Sequence, residues 1–179
     1  MVATVLIRRL TGAGPTATDI TSINTRANAY DTHSTADTTN PIRIPPSGTN
    51  YSYWVVTRLD VTVTPVGTIN NVQWYTDGSN GFGTGVTCKV NTATGYVQAT
   101  GTAGTTGIQL TTGNYATLAG APTDAFAYNS GATLAVAGSI SNPSTGQFGD
   151  RVVYQVEVGT TAAPGATPTE TFTWQYDET

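Results

Sequence analysis

The strictest constraint on this chain is an alternation that runs from Tyr51 to Thr76. Tyr53, Val55, Thr57, Leu59, Val61 and Val63 fall on one face of an extended strand. Trp54, Val56, Arg58, Asp60, Thr62 and Thr64 fall on the other. A period of two is the signature of a β-strand with a drier and a wetter face, and a helix cannot produce it. Pro65-Val66-Gly67 interrupts the run, and Val72 and Trp74 resume it, with Asn71, Gln73 and Tyr75 opposite. Pro presets φ at a turn and Gly supplies a left-handed residue at little cost. The stretch therefore predicts a long β-hairpin at the centre of an all-β domain, with Arg58 and Asp60 as a surface or interface ion pair on one strand.

Other segments repeat the period. Ala3 to Leu10 predicts a first strand, with Val5 and Ile7 on one face. Asp150 to Val158 predicts another, with Val152, Tyr154, Val156 and Val158 opposite Arg151, Gln155 and Glu157. Glu170 to Asp177 sets Phe172, Trp174 and Tyr176 on one face. Gly85–Val90 and Tyr96–Thr100 read as a second hairpin, and Ile108–Thr111, Ala125–Tyr128 and Ala132–Ile140 as short strands. Between Thr18 and Tyr30 the apolar spacing suits a short helix, but Thr and Asn are poor helix formers and an ordered loop is the alternative. Asp31–Asn40 reads as an exposed loop, and Asn40–Pro46 as an extended edge. Asn114–Ala119 suits one helical turn capped by Asn114. These strands predict an antiparallel β-sandwich, jelly-roll-like, with extended terminal strands. The predicted organisation is a sandwich over 1–158, a linker over 159–169 and a terminal strand over 170–179 that completes its own or a neighbouring sheet.

Composition narrows the function. Charged residues are 10% of the chain, against about 25% in ordinary soluble proteins. Thr supplies roughly a fifth of the residues and suits strands. A net charge of −4 leaves no basic stripe for nucleic acid. Arg8 and Arg9 are adjacent and face opposite ways on a strand. No segment has the length of a transmembrane helix, and the Arg pair follows the first apolar run, the wrong order for a signal peptide. Met1 reads as a genuine start, so a chain composed like an extracellular protein carries no secretion signal.

Catalytic and metal motifs are weak. Cys88, the single cysteine, lies in an alternating run and reads as a small buried hydrophobe. His33, the single histidine, has Asp31 and Ser34 near it in sequence, but it sits in a polar loop without a Gly-x-Ser-x-Gly elbow. Asp77, Ser79 and Asn80 lack the closing acid of a calcium loop and read as a turn. One Cys and one His make a zinc site improbable on ligand count. Asn50-Tyr51-Ser52 matches a glycosylation sequon, a weak pattern. Large aromatics on alternating strands belong more often to a core than to a sugar platform. No catalytic, cofactor-binding or metal residue is assigned. The informative constellation is the eleven-residue linker followed by an aromatic-faced strand, which can add to a neighbouring subunit as well as to its own sheet.

The Thr/Gly/Ala-rich β pattern, the opening Met1-Val2-Ala3 and the ending Phe172-Thr-Trp-Gln-Tyr-Asp-Glu178 resemble virion proteins of tailed bacteriophages, above all capsid decoration (cement) and auxiliary head proteins. The resemblance implies a non-enzymatic β-sandwich, often trimeric, made in the host cytoplasm and placed on the capsid surface. Its implied partners are the major capsid protein lattice and further copies of itself, with no cofactor, nucleic acid or membrane. The interface expected under this reading comprises Val5, Ile7, Arg9, Phe172, Trp174 and Tyr176. The competing expectation is a carbohydrate-binding or adhesin-like module. It requires exposed aromatics, and burial of Trp54, Trp74 and Trp174 would count against it.

Overall fold

A computed structural model describes residues 2–35 and 38–179. Met1 and two residues of the 31–40 loop, Ala36 and Asp37, lie outside the described residues. The strands are β1 (Thr4–Thr11), β2 (Thr16–Asp19), β3 (Thr49–Tyr51), β4 (Val55–Val63), β5 (Thr68–Tyr75), β6 (Val86–Ala93), β7 (Gly101–Thr102), β8 (Thr106–Gly107), β9 (Thr123–Asp124), β10 (Leu134–Ala135), β11 (Ile140–Ser141), β12 (Gly146–Gly159) and β13 (Thr173–Glu178). One sheet runs β2-β1-β4-β12-β6-β9, with β3 on β12. A second is built on β5, with β10 and β11 along one side and β13 along the other. β7 and β8 form a small separate ribbon. All pairings are antiparallel, and the fold is an all-β sandwich.

The expected central hairpin is not one. β4 belongs to the first sheet and β5 to the second, so Thr64–Gly67 carries the chain from one layer to the other. The alternation was correct for each strand, but alternation does not say which partner a strand takes. Gly67 is also not left-handed. A Cβ there would collide with the carbonyl of Thr179, so this glycine admits the C-terminal backbone at close range.

The inner faces of the two sheets enclose one core. β4 contributes Val55, Leu59 and Val61, β5 contributes Ile69, Val72 and Trp74, and β12 contributes Phe148, Val152, Tyr154, Val156 and Val158. Cys88 lies in this core, fully buried, and burial raises its thiol pKa far above the ordinary value. Trp74, also fully buried, packs edge to face on Phe172 at 5.1 Å.

The other face of the first sheet is buried too. Trp54, Val56, Leu10 and Val153 pack with Ala93, Ala99, Leu110 and Tyr115. The cover here is a loop, and its backbone is tied down by side chains. Trp54 Nε1 donates to the Val97 carbonyl at 2.9 Å, and the Tyr115 hydroxyl donates to Gly95 at 3.0 Å. Gln155, expected on a wet face, is completely buried. Its Oε1 accepts from the Leu110 N–H, and its Nε2 donates to the carbonyls of Ser52 and Ile108.

Several smaller readings change. Residues 18–30 contain no helix; after β2 they run irregularly, as their propensity suggested. Tyr96–Thr100 is not a strand, because β6 extends to Ala93 and pairs with β12 instead. Ala125–Ala127 is a 3-10 turn capped by Asp124, whose carboxylate accepts from the Phe126 N–H. Pro41–Pro46 forms no strand. Asp60 pairs with Arg8 on the neighbouring strand at 2.7 Å, while Arg58 donates to the Gly149 carbonyl. Cross-strand neighbours are closer than residues two apart on one strand.

Candidate functional site

The register shows how the sandwich is closed at one end. β1 starts opposite the end of β4, and β13 ends beside the start of β5. Glu178 joins them: its carboxylate accepts from the Ala3 N–H at 3.1 and 3.3 Å and from the Val66 N–H at 2.8 Å. Thr68 and Thr179 exchange backbone bonds at 2.8 and 3.0 Å, and Asn142 N–H donates to Gly67 at 2.7 Å.

At the other end the sheets part. A cleft of about 1040 Å³ opens between the arm of residues 20–44 and the linker of residues 162–172. Its walls include Tyr154, Val156 and Val158 from β12, Ile42 from the arm, Phe172 just before β13 and Trp174 within it. Phe172 is wedged between Trp74 and Tyr154, at 5.1 and 4.9 Å between ring centroids. Among the described residues, no hydrogen bond holds residues 163–171 to the rest of the protein. This strap is positioned by packing and by its prolines alone.

Polar groups in the cleft are few and under-used. Arg26 and Arg43 line it, and Glu170 is the one lining carboxylate among the described residues. Each arginine donates through Nε to a carbonyl, Arg26 to Thr35 and Arg43 to Gly104, and neither is ion-paired with another described residue. The Asn28 side-chain amide is buried against the cleft with neither of its polar atoms bonded. The Tyr154 hydroxyl meets no hydrogen-bond partner among the described residues, and burial raises its pKa. Orphaned polar groups in a concave, mostly apolar site are what a ligand's own polar atoms satisfy.

Of the expected interface residues, Ile7, Phe172 and Trp174 line the cleft, and Val5, Arg9 and Tyr176 do not. Val5 and Ile7 are half-buried and pack on the inner core, as do Phe172, Trp174 and Tyr176. β13 pairs with β5 of the same chain. Arg9 is almost fully buried, and its Nη1 donates to Thr25 Oγ1 at 2.6 Å and to the Arg26 carbonyl at 2.7 Å. Burial lowers its pKa, partly offset by Tyr154, Asp31 and Tyr96. Arg9 thus fastens the arm that forms one wall of the cleft.

The weaker motifs resolve as local structure. The Asp77 carboxylate accepts from the Ser79 N–H, and Asn80 caps the same turn through Phe82 and Val86. No group of three or more His, Cys, Asp or Glu converges among the described residues. Ser52 of the sequon is fully buried, and its hydroxyl accepts from Val156. His33 contacts the Thr25 hydroxyl at 3.2 Å. Sequence reasoning missed the cleft and Asn28, because its walls come from many distant segments of the chain. The one available signal was the unpatterned, proline-flanked linker.

No family model, no curated protein and no solved structure matches this chain. The class of protein is therefore defined by its architecture: an antiparallel β-sandwich, fastened at one end and cleft at the other.

Proposed function

We propose that this chain is a non-enzymatic structural protein that attaches to an assembled particle, as capsid decoration or auxiliary head proteins of bacteriophages do. The observation that carries the reading is the cleft. It is a large concave site, and among the described residues it offers apolar side chains, two arginines without an ion-pair partner and free backbone instead of a cluster of acids, bases and nucleophiles. Such a surface suits attachment. A subunit that binds the assembled lattice and not its free parts stabilises the lattice by mass action, and repeated copies add avidity.

The carbohydrate-binding alternative loses support from the tryptophans. Trp54 and Trp74 are buried in opposite cores, and Trp174 is half-buried against its own β-sheet partner. Of the three, only Trp174, in the cleft wall, keeps part of its surface accessible. The test of attachment is to heat capsids with and without the protein. A raised disruption temperature with saturable, stoichiometric binding supports the reading. An unchanged temperature and no co-sedimentation would remove it.

A further inference from the structure

We propose that the cleft receives an extended segment of a partner protein, added as a strand along the free edge of β13 and presenting a carboxylate side chain to Arg26 and Arg43. The inference rests on the attachment reading and names the chemistry of what is bound.

The free edge follows from hydrogen-bond parity. On β5, the Val72 carbonyl accepts from Val136 and the Thr76 N–H donates to Tyr128, so these residues face the β10 side. Gln73 and Tyr75 face the opposite way, toward their partners Gln175 and Thr173. Trp174 lies between those two, so its N–H and C=O turn away from β5, and Trp174 is among the residues that line the cleft. No described residue bonds either group. An open strand edge is a template for another strand, and proteins otherwise cover or charge it.

Three features of the cleft suit that added strand. Its inner wall of Tyr154, Val156 and Val158 would contact every second side chain of an extended segment. Among the described lining residues, two arginines stand against one carboxylate, in a chain whose net charge is −4. An acidic side chain would therefore meet local charge complementarity. The strap over residues 163–171 has no hydrogen bonds to break when a segment enters. A small apolar acid would satisfy the cations but would leave the Trp174 backbone unpaired. The peptide accounts for both.

The test begins with display selection of random heptapeptides against the folded chain. The enriched peptides are expected to alternate apolar and polar residues and to carry Asp or Glu. Replacing that acid by its amide should weaken the synthesised peptide about tenfold. Thr171→Trp, at an exposed position in the cleft wall, should weaken it by a similar factor while leaving the fold intact. In the complex, hydrogen exchange of the Trp174 amide should slow. Dodecanoate serves as a competitor. If dodecanoate binds the cleft but no peptide protects the Trp174 amide, the site takes amphiphiles and the proposal falls. Selection of no peptide sensitive to Thr171→Trp overturns it equally. Particles settle the two readings separately. Stabilisation of capsids by both the native chain and the Thr171→Trp variant would keep attachment and discard the cleft. Peptide binding without capsid stabilisation would do the reverse.

Discussion

The two ends of the sandwich are closed by different means. At the fastened end, Glu178 and Thr179 bind backbone groups of Ala3, Val66 and Thr68, so three distant parts of the chain are held by directional bonds. At the cleft end, the strap lies over aromatic and aliphatic side chains with no bond of its own. Directional bonds fix a register, whereas apolar contact tolerates sliding and replacement. The difference sets a part of the molecule held by directional bonds against a part held by apolar contact. It also assigns β13 two roles: its last residues lock the fold, and its first residues border the open site.

Trp74→Ala should produce the largest change, because it erases the packing that both ends share. Trp74 is completely buried, opposes Trp174 across the ladder and supports Phe172. A loss of about 3–5 kcal/mol is expected in denaturant unfolding. Limited proteolysis should then cut the strap and tail first. If the tail stays resistant, the aromatic row does not hold it.

Gln155→Leu comes next and attacks the cleft end from behind. Gln155 follows Tyr154 on β12 and anchors Leu110, Ser52 and Ile108 on the opposite face. Leucine fits the space but leaves a buried N–H and two carbonyls unpaired, so a loss of about 3 kcal/mol is expected. Hydrogen exchange should accelerate at the Leu110 amide more than in the Thr68–Thr179 pair. Equal acceleration at both places would show that the two ends are not independent.

The extent to which the sequence disclosed this arrangement follows from the range of each interaction. Val55 to Val63 and Val152 to Val158 announce their strands, because alternation is local and burial repeats it. The assignment of β4 and β5 to different sheets was not legible. A three-residue break that begins with Pro65 serves a hairpin and a layer crossing alike. Gln155 was hidden for a related reason: a polar residue among apolar ones reads as a wet face unless a distant loop supplies its partners. The cleft was the least legible feature. Its lining depends on how far the arm and linker stand apart, and nothing in Ala163–Thr171 encodes that distance. Only the strap's looseness was visible, in its Gly and Pro content.

Glu178→Ala tests the fastened end directly. Its carboxylate is half-exposed, so the three charge-assisted bonds together should contribute about 1–2 kcal/mol. The expected signature is selective: faster exchange at Ala3 and Val66, with the cleft residues unchanged. Stability equal to that of the native protein would place the closure in the Thr68–Thr179 pair alone.

The smallest expected effect concerns the arm beside the cleft, and it depends on pH. The Thr25 hydroxyl accepts from Arg9 and lies 3.2 Å from His33 Nδ1. Desolvation, and secondarily the Arg9 charge, lower the His33 pKa below its ordinary 6.5. The folded chain thus binds a proton there less readily than the unfolded one. This contribution to stability is complete above about pH 6.5 and declines as pH falls from there to the folded value. His33→Gln should flatten that part of the stability profile. A second decline should begin below it, in the carboxylate range. There Asp19, lowered chiefly by the Thr21 hydroxyl, loses its stabilising charge as pH falls below 3.8. An unchanged profile between pH 7 and 5 in the His33→Gln variant would show that His33 is already released from Thr25 in solution, and that Arg9 alone ties the arm.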